Sequence, residues 1–293
     1  MHNRSRISNL LFILPALAMF CVFSVYPFVK TFQLSAFQWD GVSKSMQFVG
    51  LNNYKDVLFN NPNFWYSMGA AGYITLLALI IQNALALLLA VLVDRGVKAQ
   101  NFFRTTFFLP PVLSFIVVAL VWKWIYDPNY GILNFGLTGL GMIQFQGFGW
   151  LSEAKTALTG VAVVHMWKGF GWGFIILLAG LQGIPRELYE SASIDGASVW
   201  QQFKRITVPL MIPTFVVVSI LTILGSMQIF DLIYGMTRGG PAGLTHVPIT
   251  RIYEYMNNGE FGYATTMAVV FGLVLLIVSL VQINVSRRAS QKI

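Results

Sequence analysis

The chain has 293 residues, of which 56% are hydrophobic and only 10% charged, with a mean hydropathy of +0.66. Soluble domains carry roughly 25% charged residues, and a soluble chain of this length could not hide so much apolar surface, so composition specifies one integral membrane protein. The lone Cys21 excludes an internal disulfide framework and a cysteine cage for a metal, while the formal charge of +8 has to be located along the chain before it can be read.

A helix needs about 20 apolar residues to cross the hydrocarbon layer, and charge-free intervals of that length predict six spans. The first lies between Arg6 and Lys30 and holds Pro15 and Pro27. Its length, without a small-residue cleavage site, favours a retained signal-anchor helix. Residues 31–69 follow, aromatic, Asn-rich and too sparsely charged to be disordered by composition. The second span runs from Ala70 to Val93, with Gln82 and Asn83 expected to bond across helices. The third, Thr106 to Trp124, opens on Pro110-Pro111, a pair that a neighbouring helix or water must accommodate. Tyr130 to Trp150 is rich in Gly and aromatics, as suits an interfacial anchor. The fourth span, Ala157 to Gly180, is interrupted by Lys168, which either snorkels or pairs with a carboxylate. His165 lies three residues away and, without ligands at metal spacing, reads as a hydrogen-bonded packing residue. The fifth span falls between Arg205 and Asp231, and the sixth between Glu260 and Arg287, with Gly239-Gly240-Pro241 between them as an external turn.

Short loops rich in Lys and Arg stay in the cytoplasm. The termini and the loops after the second and fourth spans carry eleven such residues: Arg4, Arg6, Arg95, Lys98, Arg104, Arg186, Lys204, Arg205, Arg287, Arg288 and Lys292. The other side carries six over longer segments, Lys30, Lys44, Lys55, Lys155, Arg238 and Arg251. Both termini are therefore expected in the cytoplasm. The basic excess is a topology signal and implies no nucleic-acid partner.

The connection from Ile184 to Pro209 is long and patterned. Pro185 suits the first turn of a helix, Glu187 and Glu190 fall near its positive end, and Gly196 permits a sharp change of direction. Beyond it Val199, Phe203 and Ile206 form one apolar stripe, and Pro209 and Pro213 restart the chain as the fifth span. Two short helices meeting at a glycine fit either a knob for a soluble partner or an amphipathic hairpin lying on the membrane.

Glu190-Ser191-Ala192, three residues, Gly196, nine residues, then Ile206-Thr207-Val208-Pro209 resembles the EAA loop of binding-protein-dependent ABC importer permeases, departing only at Ser191 and Val208. Phe48 to Tyr54, Phe102-Phe103-Arg104, Leu109-Pro110, Trp167-Lys168-Gly169, Ile184 to Tyr189, Asp195-Gly196-Ala197 and Gly239-Gly240-Pro241 extend the likeness over almost the whole chain, toward the carbohydrate-uptake branch and the first of its two paired permease subunits. The resemblance implies an all-α, six-helix type I importer permease: residues 1–69 as an N-terminal helix and external segment, 70–286 as the permease core with its coupling loop at 184–209, and 287–293 as a tail. It also implies a multi-pass protein of a bacterial or archaeal cytoplasmic membrane, surrounded by lipid. The implied partners are a second permease subunit, an ATPase dimer, an extracytoplasmic solute-binding protein and a sugar substrate.

No G-x-x-x-x-G-K-[ST] segment is present, so the chain is expected to bind no cofactor and to be no enzyme, with ATP and Mg held by the partner ATPase. In similar permeases the loop inserts into a cleft of that ATPase, a role carried to Arg186, Glu187, Glu190, Ala192, Asp195, Gly196, Lys204 and Arg205. A sugar needs aromatic platforms beside amides and hydroxyls, and polar groups inside spans are functional candidates. Trp167, Gly169 and Trp172 in the fourth span and Thr222, Ser226, Gln228 and Asp231 in the fifth meet that description. The positions of Trp167, Gly169, Trp172, Thr222 and Ser226 border the bound sugar in similar malto-oligosaccharide permeases. Packing, or bonding to the helix backbone, is the competing role for each. Glycerol phosphates and polyols are alternative solutes. A polytopic membrane enzyme is the alternative class, disfavoured because Asp127, Asp231 and Glu260 border spans with no evident partner and neither G-x-S-x-G nor H-E-x-x-H occurs.

Overall fold

A computed structural model gives the fold over residues 13–94 and 100–290, with side chains placed as far as 285. The expected charges at Arg4, Arg6, Arg95, Lys98 and Lys292, the side chains of Arg287 and Arg288, and the end of the 287–293 tail lie outside the described residues. Among the described residues, four helices are long and apolar enough to cross a membrane unbroken: α1 (Ile13–Ser35), α3 (Pro62–Asp94), α7 (Ala157–Gln182) and α13 (Phe261–Ser290). Two bent pairs add to them. α4 (Gln100–Val112) meets α5 (Phe115–Ile125) at 96°, and α9 (Val199–Leu210) meets α10 (Ile212–Met227) at 64°. Counting each pair as one span gives the six that the charge-free intervals predict.

The third interval is thus two rods rather than one. Pro110 and Pro111 sit at the end of α4, where they remove amide donors, and Ser114 at φ −60°, ψ 139° takes the chain out of the helix. Shorter elements connect the spans: β1 (Phe37–Gln38) paired antiparallel with β2 (Gln47–Phe48), α2 (Asn52–Phe59), α6 (Ile132–Gly139), α8 (Arg186–Ile194), α11 (Asp231–Met236) and α12 (Pro248–Asn257).

The chain divides into two compact units. Of the described residues, one unit comprises those up to Phe64 with Ile252–Val274; the other comprises those of Trp65–Arg251 and from Leu275. In the first, the Phe48 to Tyr54 motif acts as a fastener. Asn53 donates from Nδ2 to the carbonyls of Ser35 (3.2 Å) and Phe37 (3.1 Å), and the Tyr54 and Ser35 hydroxyls lie 2.6 Å apart. The Ser35 carbonyl also accepts from Thr266 Oγ1 at 2.9 Å. Asn61 caps α3 by accepting from the Phe64 amide at 3.0 Å, while its Nδ2 donates to the hydroxyls of Tyr255 and Tyr263.

The second unit is built round α7, whose most apolar stretch is 67% buried against 0% for α1. One core gathers Ile74, Val118, Val161, Val164, Leu232 and Ile233; another gathers Ala86, Ala90, Phe174, Leu177, Met211 and Val218. In a membrane, lipid tails are as apolar as leucine, so helices associate through close fit rather than through exclusion of water. Glycines on α7 provide that fit. A Cβ at Gly173 would lie 3.3 Å from Ala86 Cβ on α3, and one at Gly180 would lie 2.7 Å from Thr214 Oγ1 on α10. One at Gly171 would strike the Phe107 carbonyl and come 2.7 Å from Pro111 Cγ on α4.

Lys168, expected to snorkel or to meet a carboxylate, does neither. It is 5% exposed; its Nζ donates to the Pro111 carbonyl at 3.0 Å and lies 4.0 Å from the centroid of the Phe115 ring. The break after α4 leaves terminal carbonyls without amide donors, and this ammonium supplies one while the ring face receives its charge.

Outside the spans, Asn134 on α6 ties the aromatic external segment together. It accepts from Trp150 Nε1 at 2.6 Å and donates to the carbonyls of Phe148 (2.9 Å) and Pro128 (3.3 Å). Tyr130, Ile132 and Phe135 project outward. The Gly239-Gly240-Pro241 segment is a turn, with Gly239 at φ +88° and the Gly240 carbonyl accepting from Thr245 Oγ1 at 2.7 Å. Arg251, counted among external loop charges, is buried on α12 and donates to the Gly243 carbonyl at 3.2 Å.

Gly171→Ala is expected to push α4 off α7 and cost about 1–3 kcal/mol, lowering the melting temperature of the detergent-solubilised protein. Gly72→Ala, whose Cβ meets nothing within 4 Å, should leave it unchanged or slightly raised; equal melting of both variants would refute the close contact. Asn134→Ala leaves the Trp150 indole N–H without its acceptor at a cost of about 1–3 kcal/mol. Limited proteolysis should then cut between 128 and 152 faster than in the parent protein.

Candidate functional site

The segment from 184 to 209 folds as two helices crossing at a glycine. Pro185 stands one residue ahead of α8 at φ −58°, ψ 131°, rather than inside its first turn, and Glu187 occupies that turn. At the other end of α8, Gly196 adopts φ +77°, which favours a residue without Cβ. Its amide donates to the Ser193 carbonyl at 3.1 Å, and the Ala197 amide reaches back to the Ala192 carbonyl at 2.9 Å. These two bonds make a Schellman motif, which satisfies carbonyls that the helix end would otherwise strand. α9 then starts with a reciprocal capping box: the Gln201 amide donates to Ser198 Oγ (3.3 Å), and the Ser198 amide donates to Gln201 Oε1 (2.7 Å). Gln202 Nε2 crosses between the helices to Ser193 Oγ (2.9 Å) and the Ala197 carbonyl (3.2 Å).

Arg186, Glu187, Glu190, Asp195, Gly196, Lys204 and Arg205 are all exposed on this knob, and Ala192 is half-buried beneath it. The expected apolar stripe divides. Phe203 and Ile206 turn inward, Ile206 packing beside Tyr189 on the second core, whereas Val199 is 61% exposed. Two apolar side chains absent from the expectation stand out: Ile194 is 87% exposed, and Trp200, stacked on Phe203, is 69% exposed. A cavity of about 340 Å³ opens at the crossing among Ala192, Asp195, Gly196, Gln201 and Arg205, and one of about 890 Å³ lies between the knob and the span ends at Asp94, Gln100, Arg186, Tyr189 and Phe203.

The polar residues expected along a substrate path separate into two groups. Trp167 is half-buried, edge-on to Trp122 at 5.4 Å, against the first core. A Cβ at Gly169 would lie 2.6 Å from Gln82 Oε1, so this glycine admits a side chain of α3. The Thr222 hydroxyl, with one proton to give, lies 2.8 Å from the Val218 carbonyl and 3.1 Å from Asn83 Oδ1, which places Asn83 in the cross-helix role expected of it. Trp172 is 56% exposed and edge-on to Phe108.

Gln228 and Asp231, both exposed, line a cavity of about 470 Å³ with Phe115, Leu221, Phe230 and His165. Ser226, fully buried, reaches the same place through His165, its Oγ 2.9 Å from Nε2. His165, expected as a hydrogen-bonded packing residue, is buried and bonded in that way; its edge on the cavity is the added feature that its cost inside a span could have signalled. Its Nδ1 is buried with no hydrogen-bond partner.

Chemically, the cavity offers an amide, an imidazole, a carboxylate and aromatic rings, which suits hydrogen bonding to a polyhydroxylated solute. A serine beside a histidine raises the alternative of nucleophilic catalysis, but Ser226 has no exposed surface and no third group orients His165 through Nδ1. Among the described residues, no three His, Cys, Asp or Glu side chains gather as a metal site.

Comparison with known proteins agrees with this architecture. A Bacillus subtilis protein named as a probable ABC transporter permease, YurN, is 36% identical over 97% of both chains. The trehalose/maltose transport system permease MalF of Thermococcus litoralis is 32% identical, over 94% of this chain and 92% of that one. A solved bacterial alginate ABC transporter, in complex with an alginate pentasaccharide-bound periplasmic protein, shares the fold at a TM-score of 0.84 and 23% identity, covering 98% of this chain and 96% of that one. Residues 82–291 match the model of the binding-protein-dependent transport system inner membrane component, and the chain is a member of that family.

Proposed function

We propose that the chain is the membrane-spanning permease subunit of an ATP-driven sugar importer, forming half of the translocation pathway with a second permease subunit. The observation that carries this reading is the knob, an exposed, internally braced pair of helices joined directly through α9 to the bent span α10. Such a body transmits a rigid displacement from a soluble partner into the membrane. The partner is an ATPase dimer that holds ATP and Mg, since this sequence has no phosphate-cradling loop of its own. Arg186, Glu187, Glu190, Asp195, Lys204 and Arg205 supply polar contacts to it, Ala192 and Gly196 shape the crossing, and Trp200 and Ile194 supply apolar anchors.

An extracytoplasmic solute-binding protein delivers the sugar from the opposite face; family membership and the periplasmic protein in the alginate complex support that partner. The relative named for trehalose and maltose supports a sugar as the solute. The basic residues on one side support cytoplasmic termini, in the cytoplasmic membrane of a bacterium or archaeon. Gln228 and Asp231 line the solute path, backed by His165 and Ser226. Trp172 borders it from the exposed face of α7, while Trp167, Gly169 and Thr222 set the positions of the helices that frame it.

Proline fixes φ near −65° and cannot take the +77° of Gly196. Gly196→Pro should therefore abolish substrate-stimulated ATP hydrolysis by the assembled complex while membrane insertion persists; full stimulation in that variant sinks the coupling role. Trp200→Ala should weaken co-purification of the ATPase subunit by about tenfold or more, in the range of an interface hot spot, with no change in melting temperature. Unaltered association would remove Trp200 from the contact.

A further inference from the structure

The cavity at Gln228 and Asp231 also carries a sign of charge. Among the residues that line it, Asp231 is the one Asp, Glu, Lys or Arg; the rest are Phe115, Leu221, Leu224, Phe230 and their neighbours, with the neutral amide of Gln228 and the ring of His165. The nearby buried cation, Lys168, is not in the lining. Its ammonium is engaged by the Pro111 carbonyl at 3.0 Å and by the Phe115 ring at 4.0 Å. Asp231, exposed at the apolar wall of this open recess of about 470 Å³, sets the sign of the field there.

Resting on the reading of this cavity as part of the sugar's path, we propose that Asp231 makes it selective for uncharged polyhydroxylated solutes and against anionic ones, uronates and glycerol phosphates included. A neutral sugar gains from Asp231, because its hydroxyls donate to the carboxylate in charge-assisted bonds. Gln228 both donates and accepts, so it serves a hydroxyl in either role. Phe115 and Phe230 add apolar wall beside these polar groups. An anionic sugar of equal size meets the same groups but brings like charge against Asp231, a repulsive element that discriminates without any change of shape. Architecture alone does not set this preference. Alginate is a polyuronate, and a transporter of alginate shares this fold.

The test compares two probes of one shape, lactobionate and its uncharged amide, by equilibrium binding to the complete transporter in nanodiscs with its ATPase trapped by vanadate. The amide should bind at least about tenfold more tightly than the acid, as like charges a few ångströms apart require even at intermediate dielectric, and the ratio should shrink in high salt. In Asp231→Asn the ratio should fall to about threefold or less, and Asp231→Glu should restore it. A purely structural Asp231 would shift both affinities together and leave the ratio unmoved, which overturns the proposal. A ratio near one in the parent protein overturns it too, while leaving the sugar path intact. If neither probe binds, nor lactose nor maltotriose, both the selectivity and the path reading fall.

Discussion

The hydrogen bond from Lys168 to the Pro111 carbonyl is the joint on which the larger unit depends. Inside hydrocarbon, every backbone group must find a partner within the protein, and each that does not costs several kcal/mol. A 96° break between α4 and α5 exposes such groups at membrane depth. It can stand because a neighbouring helix brings a donor to it, and because that donor's charge rests on the Phe115 ring and a carbonyl instead of on lipid. Gly171, one turn along α7, lets α4 approach closely enough for the bond to form. Above the break, Val118 and Ala119 on α5 join Leu232 and Ile233 on α11 in the first core; below it, Phe107 on α4 lies against Phe174 and the second core. The bend therefore divides one apolar interval between two cores, and α7 serves both.

Much of this was legible in the sequence, and what was not has a common cause. Intervals poor in charge located the spans because ionised side chains are costly in hydrocarbon and enter a span only where partners await them, as for Lys168. Gly196 marked the crossing of the knob because its backbone conformation is a local property. Ser198 and Gln201, in S-x-x-Q spacing, carried a capping signal that could have been read and was not. The acceptor of Lys168 was invisible for a different reason. A backbone carbonyl carries no letter of its own, and this one is 57 residues away. Asn134, bonded to Trp150 and to two carbonyls, was hidden in the same way.

The polar residues of the fourth and fifth spans illustrate a limit of reading polarity as function. Thr222 answers Asn83 and its own helix, Trp167 meets Trp122, and Gly169 yields space to Gln82. Each is explained by packing, and nothing in sequence spacing distinguishes them from Gln228 and Asp231, which face open space. What separates the two groups is the unravelling of α10 at Gln228, after which the chain turns into α11. Residues before that point lie on a helix with neighbours on several sides, and those after it sit at a corner.

The knob's hydrogen bonds also account for the fixed length of its motif. The Schellman bonds set where α8 stops, the capping box sets where α9 starts, and only Ala197 lies between Gly196 and Ser198. One added residue beyond the cap would rotate everything downstream by about 100° about the helix axis. Arg205 would leave the cavity at the crossing, and Pro209 would meet α10 out of phase. Substitutions can be absorbed here, as Ser191 and Val208 demonstrate, but insertions and deletions cannot. The spacing of the motif is a gear ratio between the two helices, set by rotation rather than by the chemistry of any one side chain.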